Sequence, residues 1–190
     1  MPAVYLAGKI EKGGWRDKIV KYAGFSNDRI YDENLADTYI EKLVTSGPFF
    51  IACDHGCYHG EKSHGVGAYS PTTLSDDDYE MGVTPELCNG DGIPSSLVPP
   101  ICKRQIMRSA FVFAYIDALD CYGTLFEIGY AIGRNIPVAV MFSNKDIRSD
   151  MWFIAESANI VFNQYGYPQK VNIRDSEIYD LAKKIATRLS

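Results

Sequence analysis

The sequence predicts an α/β fold: a mainly parallel sheet of five strands with helices laid against it. Three observations carry that expectation. The apolar runs at 110–116 and 137–142 are continuous rather than alternating, the pattern of parallel strands covered on both faces. Helical patterns separate the apolar runs. The stretch Gly123-Thr124-Leu125-Phe126-Glu127-Ile128-Gly129-Tyr130-Ala131 leaves one apolar run and, through Ile132-Gly133-Arg134-Asn135, enters the next. That order reads strand, polar turn, helix, strand.

The five strands are expected at 3–7, 48–53, 110–116, 137–142 and 159–162. Helical patterns cover 15–23, ending at Gly24, then 37–44, 96–109, 124–133, 146–156 and 176–188. Pro99 and Pro100 should delay the start of the third, because proline breaks the interior hydrogen-bond ladder. Asp175 is a suitable N-cap for the last. Alternating β and α elements imply a doubly wound, Rossmann-like sheet. A flavodoxin-like strand order would bring the first βα turn and the 120–127 turn together at the switch point, where such sheets bind ligands.

Residues 54–100 fit this scheme poorly. They are rich in Gly, Pro, Ser, Asp and Tyr and show no sustained period. Long stretches of this kind inside a domain are usually functional. The segment reads as a central insertion that covers the site or reaches a second subunit, within a single domain spanning 1–190. Asp76-Asp77-Asp78 reads as a solvated turn or helix start.

Composition narrows the class. Hydrophobic residues make up 46% and charged residues 23%, ordinary for a soluble globular chain. A net charge of -5 argues against a nucleic-acid backbone as partner, since that requires a basic surface. It leaves room for a small phosphorylated ligand. The apolar runs are too short to span a membrane, and the opening residues lack the basic and apolar regions of a signal peptide. Five cysteines, an odd number, point to free thiols in a reducing compartment, so a cytoplasmic location is expected.

Glu127 is the first candidate for chemistry. It projects from an apolar helix at the carboxyl edge of the sheet and is expected in the helix's first turn. The bland alternative is an acid favouring the helix dipole. In the first βα turn, Gly8 at a strand end would let a ligand approach the backbone. Tyr5 is either core packing or a site residue. Trp15 reads as a core cover or a base-stacking platform, and Arg16 as a surface residue or a phosphate or sugar contact. The turn matches neither the dinucleotide fingerprint nor a Walker loop. Gly123 and Thr124 stand at a helix N-terminus, where N–H groups can receive a phosphate or hydroxyl; Thr124 alternatively serves as N-cap.

A second cluster is Cys53-Asp54-His55-Gly56-Cys57-Tyr58-His59, followed by His64. Alternation would put Cys53, His55, Cys57 and His59 on one face, a possible zinc site. The spacing matches no common finger, and Gly56 and Gly60 break the strand. The preferred reading is a polar rim of the same crevice, with Asp54 and His55 as contacts. No metal and no cofactor are expected.

Tyr5-Leu6-Ala7-Gly8, then Trp15-Arg16, then Asp120…Gly123-Thr124…Glu127-Ile128-Gly129-Tyr130-Ala131, taken in this order, resemble the nucleoside 2-deoxyribosyltransferase-like family. The resemblance covers the strands and helices on either side of the insertion. It implies that Glu127 is a nucleophile, that Tyr5 hydrogen-bonds and orients it, and that an aspartate before Gly-Thr handles the sugar hydroxyl or the leaving base. Relatives commonly place one residue between that aspartate and the glycine. Here Cys121 and Tyr122 both intervene after Asp120, and Asp117 is the alternative. No counterpart is found for the additional acid that some transferases carry ahead of the middle strand.

The function expected is therefore cleavage or transfer of the N-glycosidic bond of a nucleoside or nucleotide through Glu127, by a 2-deoxyribosyltransferase or nucleotide N-glycosidase. A carboxylate beneath the sugar can trap the oxocarbenium-like carbon that forms. The alternatives are a TIR-like NAD glycohydrolase and a non-catalytic nucleotide-sensing module. A homodimer or larger assembly is expected, because relatives often build each pocket with a neighbouring subunit.

Overall fold

The strands were placed by two-sided apolar runs, and the structure shows why those runs are two-sided. The computed structural model describes residues 3–9, 15–19, 44–46 and 98–190. In chain order these hold strand β1 (Ala3–Ala7), a 3₁₀ turn (Trp15–Lys18), strand β2 (Val44–Ser46) and helix α1 (Val98–Arg108). Strand β3 (Phe111–Ile116), helix α2 (Tyr122–Gly133) and strand β4 (Val138–Phe142) follow. Helices α3 (Lys145–Asp150) and α4 (Trp152–Ser157), strands β5 (Ile160–Phe162) and β6 (Pro168–Val171), and helix α5 (Ser176–Leu189) complete the described chain.

The sheet order is β2-β1-β3-β4-β5-β6, parallel except for the β5–β6 pair. Successive strand residues point to opposite faces. Tyr5 and Ala7 of β1, Val112, Ala114 and Ile116 of β3, and Val138, Val140 and Phe142 of β4 therefore share one core. Cys102 and Ile106 of α1, Ile128 and Ala131 of α2, and Ala155 of α4 cover that face. Val4, Leu6, Phe111, Phe113, Ala139 and Met141 face the other way, under Trp15, Ile19 and the Ile178, Ala182, Ile185 and Leu189 stripe of α5. Both sides of the central strands are thus dry, which is what continuous apolar runs encode.

Several expected boundaries move. The sheet has six strands among the described residues, not five. The sixth, β6, is a short polar edge strand with mostly exposed residues, so no apolar run announces it. Its hairpin is set by Asn163, whose Oδ1 accepts from the N–H groups of Tyr165 and Tyr167, both at 3.0 Å. Val44, expected at the end of a helix, lies in β2. The strand expected at 48–53, the remainder of the 37–44 helix, and residues 20–23 of the first helix lie outside the described residues, as does the insertion at 54–97.

α1 begins at Val98, two residues after the expected pattern, and Pro99 and Pro100 lie in its first turn. The N–H groups there have no intrahelical partner, so proline costs nothing in hydrogen bonds. The helix expected at 146–156 is two helices, parted at Met151. Asn144 caps the first by accepting from the Ile147 N–H at 2.9 Å. Asp175 caps α5, accepting from Glu177 and Ile178 N–H groups.

Candidate functional site

The carboxyl ends of β1 and β3 meet beside α1 and α2, and the candidate residues gather there. The register pairs Tyr5 with Val112 and Leu6 with Phe113. It places Tyr5 on the face covered by both helices. Its phenol reaches across and donates to Glu127 Oε1 at 2.5 Å, with both groups buried.

Glu127 arrives there through the start of α2. That helix begins at Tyr122, two residues before the expected start, and the Leu125 N–H bonds to the Cys121 carbonyl at 3.1 Å. Glu127 consequently lies in the second turn, and the first turn holds no acid. This corrects the first-turn placement and removes the helix-dipole alternative, which acts only within the end turn. Thr124 is a buried residue inside the helix, and the N-cap is Cys121 with no side-chain bond, so the capping alternative for Thr124 also falls.

Burial pushes the Glu127 carboxyl up to about 7 from an ordinary 4.5. Three groups act in the opposite direction: the Tyr5 hydroxyl, the charge of the Arg16 guanidinium and the Cys102 thiol. Tyr5 itself is held well above its ordinary value by burial and by the neighbouring carboxylate, so it remains a donor. Cys102 is pushed up to about 12, first by burial and then by the Glu127 charge, and remains a thiol. The result is a buried carboxyl whose ionisation is pushed towards neutrality, fixed by the Tyr5 hydroxyl. Such a carboxyl can serve as a nucleophile or exchange a proton near pH 7.

Arg16 is buried, and its guanidinium is engaged with the backbone. It donates to the carbonyls of Leu6 (2.8 Å), Gly8 (2.9 Å) and Lys9 (2.7 Å). The five-donor fork suits this gathering of carbonyls at the end of β1. Trp15 is buried too, tilted against Tyr115 and Phe113 with ring centroids 5.5 and 6.3 Å away, and the Arg16 guanidinium lies 4.6 Å from its ring centre. The indole N–H has no acceptor among the described residues.

Gly8 is required by the backbone. Its φ is +154°, and a Cβ there would stand 2.8 Å from the Trp15 indole nitrogen and 2.9 Å from the Tyr115 carbonyl oxygen. Gly123 differs: a Cβ on it would meet no atom of the described residues within 4 Å. The packing does not explain that glycine.

The two aspartates are in different situations. Asp120 is exposed and forms an ion pair with Lys9 Nζ at 2.7 Å, joining the turn after β3 to the end of β1. Asp117 is half-buried, and its Oδ1 is enclosed without a hydrogen-bond partner among the described residues. Asp54 and His55, with the rest of the Cys53–His64 cluster, lie outside the described residues. Among the described residues no group of three or more His, Cys, Asp or Glu side chains is arranged to hold a metal ion. None of the described helices is long and apolar enough to cross a membrane.

Sequence reasoning did not identify Cys102. It occupies the buried stripe of α1 with Ile106, four residues on, where cysteine reads as a small hydrophobe. Only the docking of α1 against β1 and α2 reveals its polar neighbours. The Lys9–Asp120 pair was equally hidden, because it depends on β1 and β3 being adjacent.

No protein-family model and no curated protein matches this chain.

Proposed function

We propose that the chain is an enzyme that cleaves or transfers the N-glycosidic bond of a nucleoside or nucleotide, of the nucleoside 2-deoxyribosyltransferase-like kind, with Glu127 as nucleophile. The observation that carries this reading is the buried 2.5 Å hydrogen bond from Tyr5 to Glu127 at the end of β1. The strand order and the helices on both faces support a doubly wound, flavodoxin-like scaffold, in which ligands bind at this switch point. Residues 54–97 are then an insertion in a single domain, and 98–100, expected to close it, belong to α1.

In the first step a Glu127 carboxylate oxygen bonds to the anomeric carbon as the bond from that carbon to the base nitrogen breaks. The electron pair leaves with the base, which takes up a proton. In the second step a base nitrogen or a water oxygen bonds to the same carbon, loses a proton and releases the carboxylate. Tyr5 fixes the carboxylate. We assign the sugar hydroxyl to Asp117, whose Oδ1 has no partner among the described residues, since Asp120 is engaged with Lys9. The open space at Gly123 and the buried Thr124 beside it suit a ligand lying over the start of α2.

One assay tests the reading. The protein is incubated with deoxynucleosides, nucleoside monophosphates and NAD, with and without a second free base, and the products are separated by chromatography. Base exchange identifies a transferase, free base with sugar phosphate identifies a nucleotide N-glycosidase, and free nicotinamide identifies an NAD glycohydrolase. Tight nucleotide binding without product identifies a sensing module. Glu127→Gln should abolish turnover with the fold intact, and retained turnover removes Glu127 from the chemistry. The homodimer or larger assembly belongs to the same proposal. Sedimentation decides it.

A further inference from the structure

Strand β3 is buried along its length except at Tyr115, one position before its carboxyl end. Ala7 pairs with Ala114, so the next residues, Gly8 and Tyr115, stand side by side where the sheet ends. A Cβ on Gly8 would lie 2.9 Å from the Tyr115 carbonyl oxygen. Tyr5, with Glu127 bonded to it, faces one side of the sheet, and the Tyr115 side chain faces the other.

The Tyr115 ring has a rigid backing. Trp15 lies against it, with ring centroids 5.5 Å apart and planes tilted by 41°. Trp15 is buried, and the Arg16 guanidinium sits 4.6 Å from its ring centre. Three backbone carbonyls at the end of β1 fix that guanidinium in turn. The indole N–H has no acceptor among the described residues. An unpaired buried donor has a cost, and phenylalanine would fill the core without it. What tryptophan adds is a broad face for a cation and for a second ring. Trp15, the expected base-stacking ring, is covered; the ring that reaches the surface is Tyr115.

We infer that Tyr115 is the platform for the base of the substrate: its ring, backed by Trp15 and Arg16, receives the planar heterocycle while the sugar lies over Glu127 across the sheet edge. This assignment rests on the proposed nucleoside or nucleotide substrate. Ligands of open α/β sheets bind outside the carboxyl ends of the strands, and a nucleoside laid over this edge presents its two halves to the two faces. An aromatic ring supports any base, because every base has a π-face. Burial, and then the Asp117 charge, push the Tyr115 phenol up, so the ring is uncharged at neutral pH.

The test is calorimetric binding of the 2′-deoxynucleosides, their 5′-monophosphates and 2-deoxyribose 5-phosphate, which has no base. Glu127→Gln serves as the parent, so that no ligand is consumed. Tyr115→Leu should weaken every base-bearing ligand that binds by about 5- to 100-fold, the scale of one base–ring stack, and leave the sugar phosphate unchanged. Tyr115→Phe keeps the ring and should stay within about twofold of the parent. Circular dichroism establishes that both variants are folded. Undiminished binding in Tyr115→Leu, equal weakening of the sugar phosphate, or the same loss in Tyr115→Phe overturns the inference. A second readout needs no change at position 115. The chain has two tryptophans, and Trp152→Phe leaves Trp15 as the sole indole emitter. A bound base should change that emission and the sugar phosphate should not. Unchanged emission at saturating base-bearing ligand overturns the platform even where Tyr115→Leu does not fold. The two proposals fail separately. Binding that depends on the Tyr115 ring, in a protein that turns over no glycoside, retains the platform and removes the glycosidic chemistry. Turnover with an unchanged KM in Tyr115→Leu does the reverse. A chain that binds none of the base-bearing ligands overturns both.

Discussion

The Tyr5 hydroxyl and Glu127 Oε1 stand 2.5 Å apart although 122 positions separate the two residues in the chain. Neither residue can be moved without disturbing the sheet, since Tyr5 is fully enclosed in β1 and Glu127 is anchored in α2 between Thr124 and Ile128. A charge held this deep has a cost in stability, and its consequences are measurable.

Glu127 should make the protein less stable as pH rises. The unfolded chain releases this proton near 4.5, whereas the folded chain holds it to about 7. Between those values the folded form binds more protons, so stability falls with increasing pH and the loss is complete above the folded value. The difference amounts to roughly 3 kcal/mol. Glu127→Gln should therefore unfold at higher urea than wild type at pH 8 and match it at pH 4. Equal midpoints at both pH values would show that the carboxyl is not strained by burial.

Tyr5→Phe removes the donor on Oε1 and nothing else of comparable size. A hydrogen bond to a charged group contributes about 1.5–3 kcal/mol, and the loss should appear above pH 7, where Glu127 is ionised. Below pH 5 the variant should approach wild type. Because the Tyr5 bond lowers the Glu127 value, the acid limb of any activity should also shift upward. Chemical denaturation at pH 5 and pH 8.5 separates the two regimes.

Gly8→Ala should destabilise the fold by about 1–3 kcal/mol. The added methyl meets the Trp15 indole and the Tyr115 backbone carbonyl within 2.9 Å, at a φ that alanine rarely adopts. The backbone carbonyl cannot rotate aside as a flexible side chain would. A wild-type urea midpoint would mean that the first turn relaxes freely.

Gly123→Ala should behave in the opposite way. The methyl enters open space, and alanine favours the helix by up to about 1 kcal/mol over glycine. Stability should hold or rise, while nucleotide affinity measured by calorimetry falls. Unchanged affinity would place the ligand away from the start of α2.

Asp117→Asn and Asp120→Asn distinguish the two acids. Asp120 forms an exposed pair with Lys9, so its loss should cost less than about 1 kcal/mol. Asp117→Asn should lower kcat/KM at least tenfold more than Asp120→Asn does. The reverse order would return the sugar contact to Asp120.

Much of this architecture was legible before any coordinates. The runs around Val112 and Val140 announced two-sided strands because burial on both faces forbids alternation. Asp175 announced the start of α5 because capping is a local bond. Strand β6 was missed because an edge strand has little apolar surface to bury. The start of α2 was misplaced by two residues because Thr124 looks like a cap, although the helix takes Cys121 without any side-chain bond.

What the sequence determined alone was therefore whatever depends on near neighbours: the alternation of elements, their two-faced burial, and the chemical types of Tyr5 and Glu127. Only the tertiary structure decided which groups surround the carboxylate. Cys102, Arg16 and Tyr5 come from three separate elements, and they converge because β1 pairs with β3 in one register and α1 docks over that pair. Register and docking are properties of the assembled core, and the environment that shifts an ionisation exists only once water has been removed from it.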